Sequence, residues 1–171
     1  MLSFLVIAAP RSGTAWTANW LSTDRSLCYH GLSGRIERSR WDALDGAQII
    51  GTAETALWHA KGWIAAHGAR KLIIHRSAQA ICESIQMPEL APRISYIQHG
   101  LRSIEGMHVE FDELFEHPRP IFEHLLGFEF DAQQQRRHEA LKQLQVTCMP
   151  KRMTFDVALV RKLAAEIACT T

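Results

Sequence analysis

The feature that most constrains this chain is a set of short apolar runs that do not alternate with polar residues. Leu72-Ile73-Ile74 and Phe4-Leu5-Val6-Ile7-Ala8 are apolar at successive positions, so both faces of each run must be covered. A strand buried on both faces belongs to a parallel sheet with helices above and below it. Between these runs lie segments with helical spacing. The alternation predicts an α/β fold, a three-layer domain around a central, mainly parallel sheet, with ligands at the carboxyl ends of the strands. At 171 residues the chain reads as a single domain, 1–171, long enough to bury a core.

The pattern predicts strands at Phe4–Ala8, Leu27–His30, Gln48–Thr52, Lys71–His75 and Met107–Phe111. It predicts helices over 14–21, 55–67 with Gly68 as the stop, 78–86 capped by Ser77, 92–103, 118–126 closed by Gly127, 132–144 and 155–168. The polar stretch 32–46 carries Arg35, Arg38 and Arg40 and reads as a loop with one helical turn, its arginines on a solvated surface or, alternatively, facing an anionic ligand.

Nineteen basic residues against eighteen acidic ones leave a net charge of +1, which argues against nucleic acid and acidic membranes as partners. No apolar run approaches the roughly 20 residues of a membrane helix. The first apolar run has no basic stretch before it and is followed by Arg11, so it reads as a strand rather than a leader, and the expected location is cytoplasmic. Cys28, Cys82, Cys148 and Cys169 are scattered, without metal spacing, and read as reduced thiols. No histidine or carboxylate spacing suggests a metal.

The first strand runs into Ala9-Pro10-Arg11-Ser12-Gly13-Thr14-Ala15-Trp16. Small residues let backbone N–H groups converge, a helix start adds unpaired donors, and Arg11 adds a planar cation: together these suit a phosphate or sulfate. The loop lacks the Gly-Lys-[Ser/Thr] ending of nucleoside-triphosphate loops, because Thr14 follows Gly13. It resembles the first signature of the sulfotransferases that use 3′-phosphoadenosine 5′-phosphosulfate (PAPS), P-[KR]-S-G-T-x-W. The resemblance implies that Arg11, Ser12, Gly13 and Thr14 hold the 5′-phosphosulfate and that Trp16 packs on adenine. A second segment, His75-Arg76 through Ser84, is similar to the family's R-[DN]-P-x-[DE]-x-x-x-S. It implies that Arg76 and Ser84 bind the 3′-phosphate, although Ser77 and Ala78 replace the usual Asp or Asn and Pro. The run Val109-Glu110-Phe111 to Pro118 resembles the family segment after the last strand, so the likeness spans about 4–127.

The resemblance implies a P-loop sulfotransferase-like fold and sulfuryl transfer from PAPS to a hydroxyl or amine, leaving adenosine 3′,5′-bisphosphate without a metal. Arg11 would stabilise charge in the transfer. The base in cytosolic members is a His at the end of the third strand, where this chain has Ala53. Glu54, one position on, and His30, ending the second strand, are the substitutes. The late basic segment that completes the 3′-phosphate site is echoed only by Lys151 and Arg152. A short chain leaves room for a small acceptor or a site completed by a partner. A non-catalytic nucleotide-binding or assembly protein of the same fold and a small P-loop kinase are the competing expectations.

Overall fold

The computed structural model describes residues 2–34, 49–55 and 57–143. The predicted helix over 155–168, Gln48, Arg35, Arg38, Arg40, Lys151, Arg152, Cys148 and Cys169 lie outside the described residues.

Five strands, β1 (Phe4–Ala8), β2 (Ser26–His30), β3 (Ile49–Glu54), β4 (Arg70–His75) and β5 (Met107–Glu110), form one sheet in the order β2-β3-β1-β4-β5. Every pairing is parallel: Val6 lies opposite Ala53 on one side and Leu72 on the other. β1 is central, and all five of its residues are buried. The uninterrupted apolar run therefore has the cause inferred for it, cover on both faces.

Side chains alternate along β1, and the two faces feed two cores. Phe4, Val6 and Ala8 pack with α1 (Thr14–Trp20), α5 (Glu113–Glu116), α6 (Pro118–Leu126) and α7 (Ala132–Gln143), where Trp20, Phe122 and Phe130 are fully buried. Leu5 and Ile7 pack with α2 (Lys61–Ala66), α3 (Ala78–Ile85) and α4 (Ala91–Arg102) through Ile64, Ile81, Ile94 and Leu101. The result is three layers. The crossover after β1 steps over β3 to β2, whereas those after β3 and β4 step the other way, so right-handed connections send α1 to one face and α2, α3 and α4 to the other. In sheets of this kind the carboxyl end of the strand where the connections diverge, here β1 between β3 and β4, is where ligands bind as a rule.

One predicted helix is two pieces. The stretch expected to be continuous over 55–67 contains a 3₁₀ turn at Leu57–His59 and then α2, with Ala60 N–H donating to Leu57 C=O between them. Leu57 is 2% exposed and anchored in the sheet core, while the Trp58 ring lies under Gly100 of α4, 3.2 Å from where a Cβ would stand. Tertiary packing of these two side chains overrides the local helical spacing. The helix ends at Ala66, with extended His67 as its cap, so Gly68 is not a left-handed stop. Ser77 and Gly127 act as expected: Ser77 Oγ accepts from Ala80 N–H, and Gly127 closes α6 at φ 72°.

Candidate functional site

The turn after β1 is built from two residues in the left-handed region, Arg11 at φ 63° and Gly13 at φ 77°. Gly13 is there for two reasons. It lacks the Cβ that this φ disfavours, and such a Cβ would stand 2.9 Å from Cε2 of Phe111. Arg11 has no such freedom, and a side chain held in this conformation stores about 1 kcal/mol of strain.

The conformation aims the Arg11 guanidinium at the end of α3, where Nε donates to Ser84 Oγ at 3.3 Å and Nη2 to the Ser84 carbonyl at 3.4 Å. From β4, Arg76 reaches the same turn: Nη1 donates to the Arg11 carbonyl, and its guanidinium lies 4.4 Å over the Phe111 ring. Gln98 Nε2 of α4 holds the Arg76 carbonyl at 2.8 Å. Arg11, Arg76 and Ser84, expected from two signatures 65 residues apart, thus share one cluster. Among the described residues neither arginine has a carboxylate partner. Both guanidinium groups thus lie at this corner without a carboxylate against them among the described residues, an arrangement with the charge to receive an anion.

Ser12 is fully buried, and its Oγ has no hydrogen-bond partner among the described residues. A hydroxyl in that state carries a free donor and acceptor capacity that a ligand can satisfy. Thr14 is buried with Oγ1 3.2 Å from His30 Nε2, so His30 reaches the loop from the end of β2.

Glu54 is differently placed. It is 1% exposed, and its carboxylate accepts from Thr52 Oγ1 at 2.6 Å, from Ser33 N–H at 3.1 Å and from Ser33 Oγ at 2.5 Å. Those bonds tie the end of β3 to the turn after β2. Burial, and then Glu54, raise the Cys28 thiol well above its ordinary range, which keeps it protonated and unreactive. Cys28 and Cys82 are free and buried.

Trp16, expected to pack on adenine, lies in the core between α1, α5 and α7. It is 7% exposed, its Nε1 donates to the Leu141 carbonyl, and Trp20, Phe115 and His138 lie around the indole. At the third position of α1 the side chain points back under the sheet, where the apolar area is, rather than over the loop.

Phe111, Ser33 and Gln98 are the residues that reading the sequence alone misses. Phe111 was expected as the last strand residue; it lies just past β5 and roofs the loop instead. Ser33 and Gln98 act across 21 and 22 positions, and no local spacing signals such partners.

No group of three His, Cys, Asp or Glu side chains among the described residues could hold a metal, and no described helix is long and apolar enough to cross a membrane. An open cleft between α5, α6 and α7 has Glu116, Glu139, Arg119 and Lys142 in its walls but no residue of the loop. Its mixed charges favour no ligand sign.

The fold and site together define a three-layer α/β domain with an arginine-lined corner at the carboxyl end of its central strand. Comparison with protein-family models, curated proteins and solved structures gives no match for this chain.

Proposed function

We propose that the chain binds a doubly phosphorylated adenosine at this corner and acts as a sulfotransferase, moving a sulfuryl group from PAPS to a small hydroxyl or amine acceptor. The observation that carries the reading is the convergence of Arg11, Arg76 and Ser84 on one turn with no acidic group against either arginine. The order and spacing of these residues resemble the two cofactor signatures of that family, and the unpartnered Ser12 hydroxyl follows Arg11 in the same loop.

In the transfer, the bond between sulfur and the phosphate oxygen breaks and a bond from sulfur to the acceptor forms. The leaving phosphate departs with the bond's electron pair, and the acceptor gives up its proton. Arg11 and Arg76 supply fixed positive charge for the anionic oxygens. His30 takes the proton in this reading. It is half-buried and in contact with the loop through Thr14, whereas Glu54 is enclosed and already accepts three hydrogen bonds. Trp16, whose ring packs among Trp20, Phe115 and His138, is given no role on adenine in this reading.

Titration calorimetry with adenosine 3′,5′-bisphosphate in the absence of magnesium tests the reading. Binding is expected, weakened roughly tenfold or more in Arg76→Ala, since a hydrogen bond to a charged group contributes about 1.5–3 kcal/mol. Absence of binding at millimolar ligand refutes it; binding of ATP only with magnesium points to a small kinase instead.

Ala53 favours a second reading. It is fully buried at the position of the family's catalytic histidine, which suits a non-catalytic binding or assembly protein of the same architecture. Bisphosphate binding without sulfated product over a broad acceptor panel, and without effect of His30→Gln, selects that reading.

A further inference from the structure

Behind Arg76 runs a chain of hydrogen bonds that the anion site does not use. His108 of β5 places Nε2 2.7 Å from the Ile104 carbonyl and Nδ1 2.8 Å from Nε2 of His75. His75 of β4 places Nδ1 3.3 Å from Gln98 Oε1, and Gln98 Nε2 donates to the Arg76 carbonyl at 2.8 Å. The two imidazoles are nearly parallel, 13° apart. His75 is 5% exposed, while His108 is open to solvent and gives protons a way in.

Counting protons shows what this chain requires. Both ends are backbone carbonyls, which only accept, so His108 must carry its proton on Nε2 and Gln98 must donate toward Arg76. Two contacts remain, and each needs one proton. If His75 is neutral with its proton on Nε2, its Nδ1 lone pair faces the Gln98 oxygen. With the proton on Nδ1, two lone pairs face each other between the rings at 2.8 Å. Turning the Gln98 amide satisfies His75 but puts an oxygen against the Arg76 carbonyl. All four contacts are made at once only when the two rings hold three protons between them, a net charge of +1.

We propose that His75, His108 and Gln98 are positioning residues for Arg76, and that loss of the extra proton from the histidine pair turns Gln98 away and releases Arg76 from the anion site. Anion affinity is therefore highest at mildly acidic pH and falls towards neutrality. The groups facing His75 are Gln98 and Arg102 from α4, and His108 and Glu110 from β5. Burial is the largest influence and lowers the His75 pKa from its ordinary value; the bond to Gln98 and Glu110 oppose it, while His108 and Arg102 reinforce it. Burial thus moves the His75 change below the usual imidazole range. The pH dependence of affinity rests on the bisphosphate reading of the site. The relay itself does not.

The test uses nitrogen-15 NMR of the whole chain from pH 5 to 8, with calorimetry of adenosine 3′,5′-bisphosphate at the same pH values. Expected are a joint titration of the His75 and His108 ring nitrogens, an Arg76 backbone and Nε signal that follows it, and roughly a two- to tenfold drop in affinity across the step. In Gln98→Leu the rings still titrate, but Arg76 no longer follows and the affinity step disappears. Gln98→Glu gives a second variant: the carboxylate accepts from His75 and holds the extra proton to higher pH, yet cannot donate to Arg76, which stays insensitive. An Arg76 signal that ignores pH in the unmodified protein, or that still follows it in Gln98→Leu, overturns the relay. Failure of the bisphosphate to bind at any pH removes the sulfotransferase reading and leaves the NMR result to decide the relay.

Discussion

Replacing Gly13 with Ala tests how the roof of the loop is built. The backbone there has φ 77°, a conformation that costs an L-residue about 1 kcal/mol relative to glycine. The added methyl would stand 2.9 Å from Phe111 Cε2 and 3.5 Å from Leu114 Cδ1. The first distance is an overlap and the second an ordinary contact, so Phe111 is the side chain that must move. Phe111 is half-buried and can tilt, but its ring carries the Arg76 guanidinium, and overpacking of this kind costs about 1–2 kcal/mol. The sum, about 2–3 kcal/mol, corresponds to roughly 4–12 °C in Tm for a domain of this size. Urea denaturation and thermal melts of Gly13→Ala, Phe111→Leu and the double variant form a cycle that separates the two causes. The steric part should vanish when the ring is gone, leaving only the backbone cost. If Gly13→Ala costs the same in both backgrounds, Phe111 does not close on the loop and the support assigned to Arg76 is wrong.

The other Arg in the site gives an opposite sign. Arg11→Gly relieves the φ of 63° and should leave stability unchanged or raise it by about 0.5–1 kcal/mol, while bisphosphate binding weakens; loss of both together would show that Arg11 serves the fold alone. Gly51→Ala would place a methyl 2.3 Å from the Phe4 ring in the middle of the sheet, so a loss of about 2–3 kcal/mol in urea denaturation is expected, partly recovered in a Phe4→Leu background. Stability should also fall as pH drops below about 6.5, because burial holds His75 and His138 below their ordinary pKa and the unfolded chain then binds more protons than the folded one. His138→Gln, which keeps a donor for the Leu114 carbonyl, should show a shallower acid loss; an unchanged slope would exclude His138 as a source.

The sheet was legible because its strands carry their own evidence. Continuous apolar runs such as Leu72-Ile73-Ile74 have only one comfortable place in a water-soluble fold, and each observed strand lies within a residue or two of the expected one. The 55–67 stretch was not legible in detail, because what divides it is the Trp58 ring under Gly100, a contact across some forty positions. The site shows the same split. Arg11 and Arg76 are marked by their places after two strands, whereas Trp16 is fixed by packing against α5 and α7, which no spacing within its own helix reports. Glu54 looks from sequence like a strand-end carboxylate facing a ligand. Its capture by Ser33 depends on how the turn after β2 folds back, a tertiary event.

That two arginines meet at this corner is, by itself, a consequence of topology. β1 and β4 are adjacent and parallel, with Ala8 opposite Ile74, so residues a few places beyond their ends are neighbours in any chain with this strand order. Two further facts go beyond topology. An ordinary surface would neutralise such a pair with a nearby Asp or Glu, yet none touches Arg11 or Arg76 among the described residues. Glycine would hold φ 63° without strain, whereas Arg11 accepts the strain, as Gln86 does at φ 58°, and its guanidinium gains bonds to exposed Ser84. Bonds to an exposed serine contribute little in water. Under the proposed reading, an anion shared with Arg76 would add a stronger partner for the Arg11 guanidinium and so help to offset that strain.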